Sequence, residues 1–275
     1  MDHAITHRVG DIELSVLTDG ASEFGAELFP STDPAHVDAL LKAHGETAVR
    51  TNFNAVLART GGRTVLIDAG PRDLFGPACG HLHDGLAEVG VTPEEVDTIF
   101  FTHLHPDHIA GTITAEGRPV FPNAELVVTE GDRAFWSNGI PNAPETLQQW
   151  QQLAQAVLAA YGDRLRVIEG EAEIAPGVTA LPLPGHTPGH SGYRVSSGGG
   201  ELVHVGDIVH APHLQLQDPE IAVAFDIDAD TARATRKRLL DQLAADGALV
   251  TGGHLLRPAI GRVVREGQGY GLERA

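Results

Sequence analysis

The chain has 275 residues, and 37 acidic against 19 Lys and Arg side chains give it a formal charge of −18 at pH 7. A surface that negative repels phosphate backbones, and the two lysines, Lys42 and Lys237, belong to no basic run, so no nucleic-acid partner is expected. A hydrophobic fraction of 42% provides for a buried core, and the single cysteine, Cys79, rules out an intrachain disulfide or a thiolate metal cluster. Any metal must therefore take nitrogen and oxygen ligands.

In chain order, strand-like runs fall at 12–18, 54–59, 63–68, 97–102, 125–129, 177–183, 201–207, 248–252 and 260–265. Helices are predicted at 34–43, which Asp33-Pro34 opens, at 82–89, at 145–161, and at 229–245, which Asp246-Gly247 closes. SSGGG at 196–200 reads as a hairpin loop. Strands interspersed with helices along the whole length predict one layered α/β domain over 1–275. Residues 19–52 differ, with turn formers, scattered aromatics and one short helix, and are expected to be a flap over a site or a surface excursion. No run approaches the ~18 apolar residues of a membrane span. The opening MDHAITHRVGDIEL has neither a basic nor an apolar leader region, so a cytoplasmic location without a membrane partner is expected.

The chemistry is concentrated in Thr102-His103-Leu104-His105-Pro106-Asp107-His108, directly after the apolar TIFF. In an extended chain His103 and His105 point to one side, while Asp107 and His108 fall on the first turn of a helix beginning near Pro106, so the group can serve two adjacent metals. So many polar groups at the end of an apolar strand would be costly unless they bound something. Three later places repeat one pattern, in which a strand stops, glycine turns the chain and a ligand-type side chain follows. They are Gly185-His186-Thr187-Pro188-Gly189-His190, Gly206-Asp207 and Gly252-Gly253-His254.

With its HxHxDH signature and these later turns, the chain resembles the metallo-β-lactamase-fold hydrolase superfamily from about residue 12 to 271. The resemblance implies an αββα sandwich with a dinuclear metal site at the shared edge of the two sheets. It makes His103, His105 and His186 ligands of one metal and Asp107, His108 and His254 ligands of the other, with Asp207 bridging them. Asp68 would orient the histidine ligands, and His190 would make a structural hydrogen bond. Two divalent ions, zinc first and manganese, iron or cobalt as alternatives, would share a hydroxide nucleophile. Asp207, Asp107 and His210 are the expected catalytic groups, Asp207 as proton acceptor.

Departures from family patterns narrow the branch. Asp207 stands where the commonest β-lactamases place Cys, His105 stands where oxygen-reducing diiron members need a carboxylate, and the basic C-terminal extension of glyoxalase II is replaced by a strand-like tail. GRTVLIDAG, DTIFFTHLHPDHIAG, GDIVH and EGQGY are similar to the branch of methyl parathion hydrolase and the N-acyl-homoserine lactonases, with His210 where many of those lactonases carry Tyr. The implied substrate is a small lactone, ester or aryl phosphotriester. The alternatives are a glyoxalase II-like thioesterase, which would need a cationic site near Arg257 and Arg262, and a non-catalytic metal-binding sensor. Phe24, Leu28 and Phe29 of the 19–52 segment, with Trp136, are the leading candidates for an apolar substrate pocket, and the family suggests a homodimer.

Overall fold

The computed structural model describes residues 2–138, 140 and 142–275. The first sheet runs in chain order through β1 (Ala4–Val9), β2 (Ile12–Phe24), β3 (Val49–Thr60), β4 (Arg63–Ile67), β5 (Thr98–Phe100), β6 (Glu125–Thr129) and β7 (Leu165–Ile168). The second does the same through β8 (Ala172–Ala175), β9 (Val178–Pro182), β10 (Ser191–Ser197), β11 (Gly200–His204), β12 (Leu249–Thr251), β13 (Gly261–Glu266) and β14 (Gly269–Arg274). Their inner faces share one apolar core, in which Leu14, Val56, Ile67 and Phe100 of the first sheet join Val178, Val195, Val203 and Val250 of the second.

Helices cover the outer faces. α2 (Leu82–Glu88), α4 (Glu130–Ser137) and α5 (Glu145–Tyr161) bury Leu82, Leu86, Trp136, Ala154, Val157 and Tyr161 against Leu57, Leu66, Ile99 and Leu126. α7 (Ala229–Asp246) applies Leu239, Leu240 and Leu243 to the second sheet. Its ends follow from local chemistry. The Asp228 side chain accepts from Thr231 N at 3.0 Å, and Gly247 takes the left-handed conformation (φ 64°) that stops it. The αββα sandwich implied by the resemblance is the observed architecture.

Strand register positions the site. β4 pairs parallel with β5, Ile67 opposite Phe100, so the turns at Asp68 and at the 102–108 motif leave the same edge. In the second sheet β11 pairs parallel with β12, His204 opposite Thr251, so Asp207 and His254 also leave together. Parallel neighbours necessarily present their carboxyl ends to one side, where ligand-bearing turns can meet.

β1, β7, β8 and β10, with α4, α6 (Pro212–Gln215) and the extent of β2 and β3, are additions to the predicted elements, while β14 lies in the tail that reads as strand-like. The 19–52 segment carries more regular structure than its turn formers suggest. Its arms are strand, with Phe24 opposite Val49, and a bulge between Thr18 and Gly20 absorbs the turn formers. Between the arms, α1 (Pro34–Ala43) and Phe29 pack Val37 and Leu41 against Leu214, Ile221 and Val223, so the excursion is anchored by its own apolar cluster.

Candidate metal centre

The turn after β5 leads into α3 (Pro106–Ile109), which starts with Pro at its first position and carries Asp107 and His108. Around it the structure brings together all seven residues of the implied ligand set. His103, His105 and His186 form one group and Asp107, His108, Asp207 and His254 another, with ligand atoms within 4.8 Å inside each. Asp207 joins the two. Its Oδ2 lies 3.6 Å from His103 Nε2, 3.4 Å from His186 Nε2, 3.2 Å from His108 Nε2 and 2.8 Å from His254 Nε2. Asp107 Oδ2 stands 3.4 Å from the Nε2 of both His108 and His254.

Partners on the far side of each ring set which nitrogen faces inward. Asp68 Oδ2 lies 2.9 Å from His108 Nδ1, the Asn52 carbonyl 2.9 Å from His254 Nδ1, Asp226 Oδ1 2.8 Å from His186 Nδ1, and Thr102 Oγ1 3.1 Å from His103 Nδ1. Thr102 in turn donates its hydroxyl to Asp68 at 2.8 Å. With those Nδ1 atoms turned outward, four Nε2 atoms face the centre. His105 completes the set through the other nitrogen, Nδ1, 2.9 Å from His186 Nε2.

These donors fit a pair of divalent ions. His103 Nε2 and Asp207 Oδ1 are buried without a hydrogen-bond partner among the described residues, a costly state that a cation relieves. Gly253 lines the cradle, since a Cβ there would stand 2.9 Å from Asp207 Oδ1 and 3.0 Å from His108 Cε1. Burial, then the charge of His108, holds His103 well below the usual imidazole range, and burial with His186 does the same to His105, so both rings are neutral. Burial opposes charge on Asp207 as well, but His108 and His254 outweigh it and hold the carboxyl well below its usual range. Burial opposes charge on His108 and His254 too, but Asp207 and Asp107 raise both above the usual imidazole range, so protons take up the negative charge that divalent metals would otherwise neutralise.

His190 sits behind the centre, its Nδ1 directed at Leu183 O at 2.6 Å while Nε2 accepts from Asp207 N at 2.9 Å. Burial pushes its pKa down to about 3, so it acts as a neutral pin for the bridging residue. His210 flanks the centre with its ring 3.9 Å from that of His254, and Gln215 Oε1 accepts its backbone N–H at 2.7 Å. Trp136 and Phe29 are both enclosed. They are 0% and 2% exposed, Trp136 edge-on against His105 at 5.6 Å and Phe29 in the cluster beneath the excursion, because large rings that can be wholly enclosed go to the core. The half-buried Phe24 instead meets Phe225 at 6.4 Å, and Phe225 meets Trp150 at 5.8 Å and His210 at 5.5 Å. Leu28 is tied beside this row by its carbonyl, which accepts from Ala224 N at 2.8 Å.

Sequence reasoning missed Asp132, Asp226, Phe225 and Trp150 as parts of this site. Asp132 is buried and accepts from Leu104 N, Thr187 Oγ1 and Gly189 N, thereby joining the first ligand turn to the His186 turn. Its position just beyond the strand ELVVT follows the strand-then-acid pattern of Asp68 and was the available signal. Asp226, one of three acids in FDIDAD, carries no such signal.

Known proteins are similar to this chain in sequence and fold. The description "Metallo-beta-lactamase superfamily" matches residues 50–254. An N-acyl homoserine lactonase of Bacillus cereus is 26% identical over 169 residues, 62% of this chain and 60% of that one, so the chain spans about three fifths of the length of such relatives. Two solved structures align along the full chain. The dizinc quorum-quenching lactonase AidC, in complex with a product, gives a TM-score of 0.93 at 27% identity, over 100% of this chain and 99% of that one. The hydrolase AbOPH of the beta-lactamase superfamily gives 0.92 at 30% identity, over 100% and 98%. Together with two ligand groups joined at Asp207, the match over 50–254 settles descent: the chain belongs to the metallo-beta-lactamase superfamily.

Proposed function

We propose that this chain is a dinuclear zinc hydrolase that opens the lactone ring of N-acyl-homoserine lactones. The observation that carries the reading is the meeting of both ligand groups at Asp207 beside the aromatic row of Phe24, Phe225 and Trp150. The similarity to AidC and to the Bacillus lactonase supports the substrate class. Two zinc ions would supply Lewis acidity, lowering the pKa of water toward neutrality and polarising a carbonyl oxygen. Asp207, whose Oδ1 is buried without a partner among the described residues, would accept the proton of the attacking water. His210 has its pKa pushed down to about 3 by burial and by His254, so its neutral ring can donate one N–H to the substrate carbonyl. The aromatic row would hold the acyl chain and exclude water.

An aryl phosphotriester is the second reading, favoured by the flat faces of Trp150 and Phe225 at the mouth of the centre. A thioesterase has less support, since Arg262 is directed to the carbonyl of Gly247 at the end of α7. The test is kcat/KM of zinc-loaded protein for a long-chain acyl-homoserine lactone beside a dimethyl aryl phosphotriester. Lactone preference supports the first reading, and phosphotriester preference replaces it with the second. Turnover of neither by protein holding both ions would leave the metal-binding sensor.

A further inference from the structure

Away from the Asp207 centre, ligand-type side chains also converge where the start of β1 passes the start of α2. His3 and His81 stack with ring centroids 4.6 Å apart and planes 24° from parallel. With Asp84 they form a group whose ligand atoms lie within 4.8 Å of one another.

The chain near residue 3 is firmly placed for a segment so close to the N-terminus. Glu88 accepts the backbone N–H of both His3 and Ala4 at 2.8–2.9 Å, and the His3 carbonyl accepts from Thr18 N at 2.8 Å. His3 Nδ1 stands 3.3 Å from the Thr18 carbonyl, which selects a proton on Nδ1 and leaves Nε2 as a lone pair. His81, at the N-cap of α2, has Nδ1 2.9 Å from Asp84 Oδ2, and its backbone N–H donates to Asp19 O at 3.1 Å. A carboxylate behind one imidazole nitrogen makes the other a better ligand. The His81 and Asp84 side chains are 38% and 64% exposed, and both histidines line a cleft of about 1050 Å³, so ions in solution reach them.

We propose that His3, His81 and Asp84 form a further divalent transition-metal site, of the zinc, nickel or copper class, separate from the Asp207 centre. Imidazole nitrogen selects this class over magnesium or calcium. Two nitrogens on one zinc stand about 3.3 Å apart for bonds of about 2.0–2.1 Å, a spacing that half-exposed rings reach by side-chain rotation. Asp84 would either ligate directly or stay behind His81, with water filling the remaining positions. The bound ion would clamp residue 3 to α2, and with so open a shell it would bind more weakly than the buried centre.

The experiment is calorimetric titration with Zn²⁺ of full-length protein whose centre has first been filled, with bound metal counted by elemental analysis. Wild type is expected to take one further equivalent with micromolar affinity. His81→Ala and His3→Ala should each lose that equivalent and keep the earlier ones, while His83→Ala, two residues further on in α2, keeps it. A wild-type protein that binds nothing further, or a further equivalent that survives both His3→Ala and His81→Ala, would overturn the proposal. Because the readout is a difference of one ion between variants, it is independent of what the Asp207 centre hydrolyses.

Discussion

Asp226 Oδ1 lies 2.8 Å from Nδ1 of His186, across the ring from the Nε2 that faces Asp207 at 3.4 Å. The carboxylate is itself held by Val223 N at 3.1 Å and by Arg236, whose Nη2 is 3.8 Å away and whose remaining nitrogens donate to the carbonyls of Ile208, Pro219 and Ile221. Burial works against charge on Asp226, yet His186 and Arg236 keep its pKa below the usual range. The network thus fixes the direction of one ligand from a residue that touches neither metal position.

Asp226→Asn is expected to lower metal affinity by about 10–100-fold, because the amide can turn its NH₂ toward the ring and no longer dictates which nitrogen carries the proton. Asp226→Ala should also destabilise the fold by about 3 kcal/mol or more, since it leaves Arg236 buried without its counter-charge. Chelator competition and thermal melts separate the two effects. Unchanged affinity in the Asn variant would mean that His186 is oriented by packing alone.

Gly253→Ala isolates space from backbone strain. Its φ lies outside the left-handed region, so alanine is tolerated by the chain, but the new methyl would intrude on Asp207 and His108. The metal-free variant is expected to melt within a few degrees of wild type, while its metal content and kcat/KM fall at least about tenfold, because misplaced ligands no longer match a fixed coordination shell. Wild-type metal content would show that the cradle is looser than the distances indicate.

The ligand turns were legible because their grammar is local. A buried strand, a glycine and then His or Asp can be read at 102–108, 185–190, 206–207 and 252–254 without knowing what lies across the sheet. The helices at 34–43 and 145–161 were equally legible, one from Asp33-Pro34 and the other from apolar residues every three or four positions. What was not legible depends on distant partners. β1 is largely half-buried and alternates weakly, and is a strand because β2 lies beside it. Asp19-Gly20 reads as a turn yet lies within β2, where a Cβ on Gly20 would meet Ala78 O at 2.3 Å. Phe29 and Trp136 looked like pocket residues only because sequence does not reveal which aromatic is enclosed.

His204 gives the fold a measurable acid sensitivity. It is 1% exposed, stacks on Tyr193 at 4.7 Å, and accepts from Gly206 N at 3.0 Å through Nδ1. Burial pushes its pKa down to about 3, against about 6.5 for an unfolded histidine. The unfolded chain therefore binds the proton first as pH falls, so the stability from neutral His204 is present above about pH 6.5 and is lost below it, at up to about 1.4 kcal/mol per pH unit. Denaturant melts at pH 7.5 and 5.5 should show a smaller loss in His204→Gln than in wild type, by about 1 kcal/mol. Equal losses would assign the sensitivity to the other buried histidines.

Asp207→Ala removes the carboxylate whose Oδ2 lies within 3.6 Å of His103 and His186 as well as of His108 and His254, and is expected to cost at least one bound ion and nearly all activity. His36→Ala removes a half-exposed ring whose partner is Asp218, and exposed pairs of this kind contribute little, so its rate and melting temperature should match wild type. Two ions and near-normal turnover in Asp207→Ala would show that His103, His105, His186, Asp107, His108 and His254 suffice without a bridge.

Phe225 tests what the aromatic row reads. Its ring is the member that touches Phe24, Trp150 and His210 alike, so truncation opens the row in the middle while leaving every ligand to the centre in place. If the row lies along an acyl chain, each methylene in contact contributes up to about 0.8 kcal/mol, and the loss must grow with chain length until the chain outruns the row. Phe225→Ala is therefore expected to raise KM about tenfold for a decanoyl homoserine lactone and less than about threefold for a butanoyl one, with kcat little changed, because the contact is made equally in ground and transition states. An equal effect on both chain lengths would place the acyl chain elsewhere. A fall in kcat without a rise in KM would instead make Phe225 a support for His210, and the carbonyl rather than the chain would be what this wall positions.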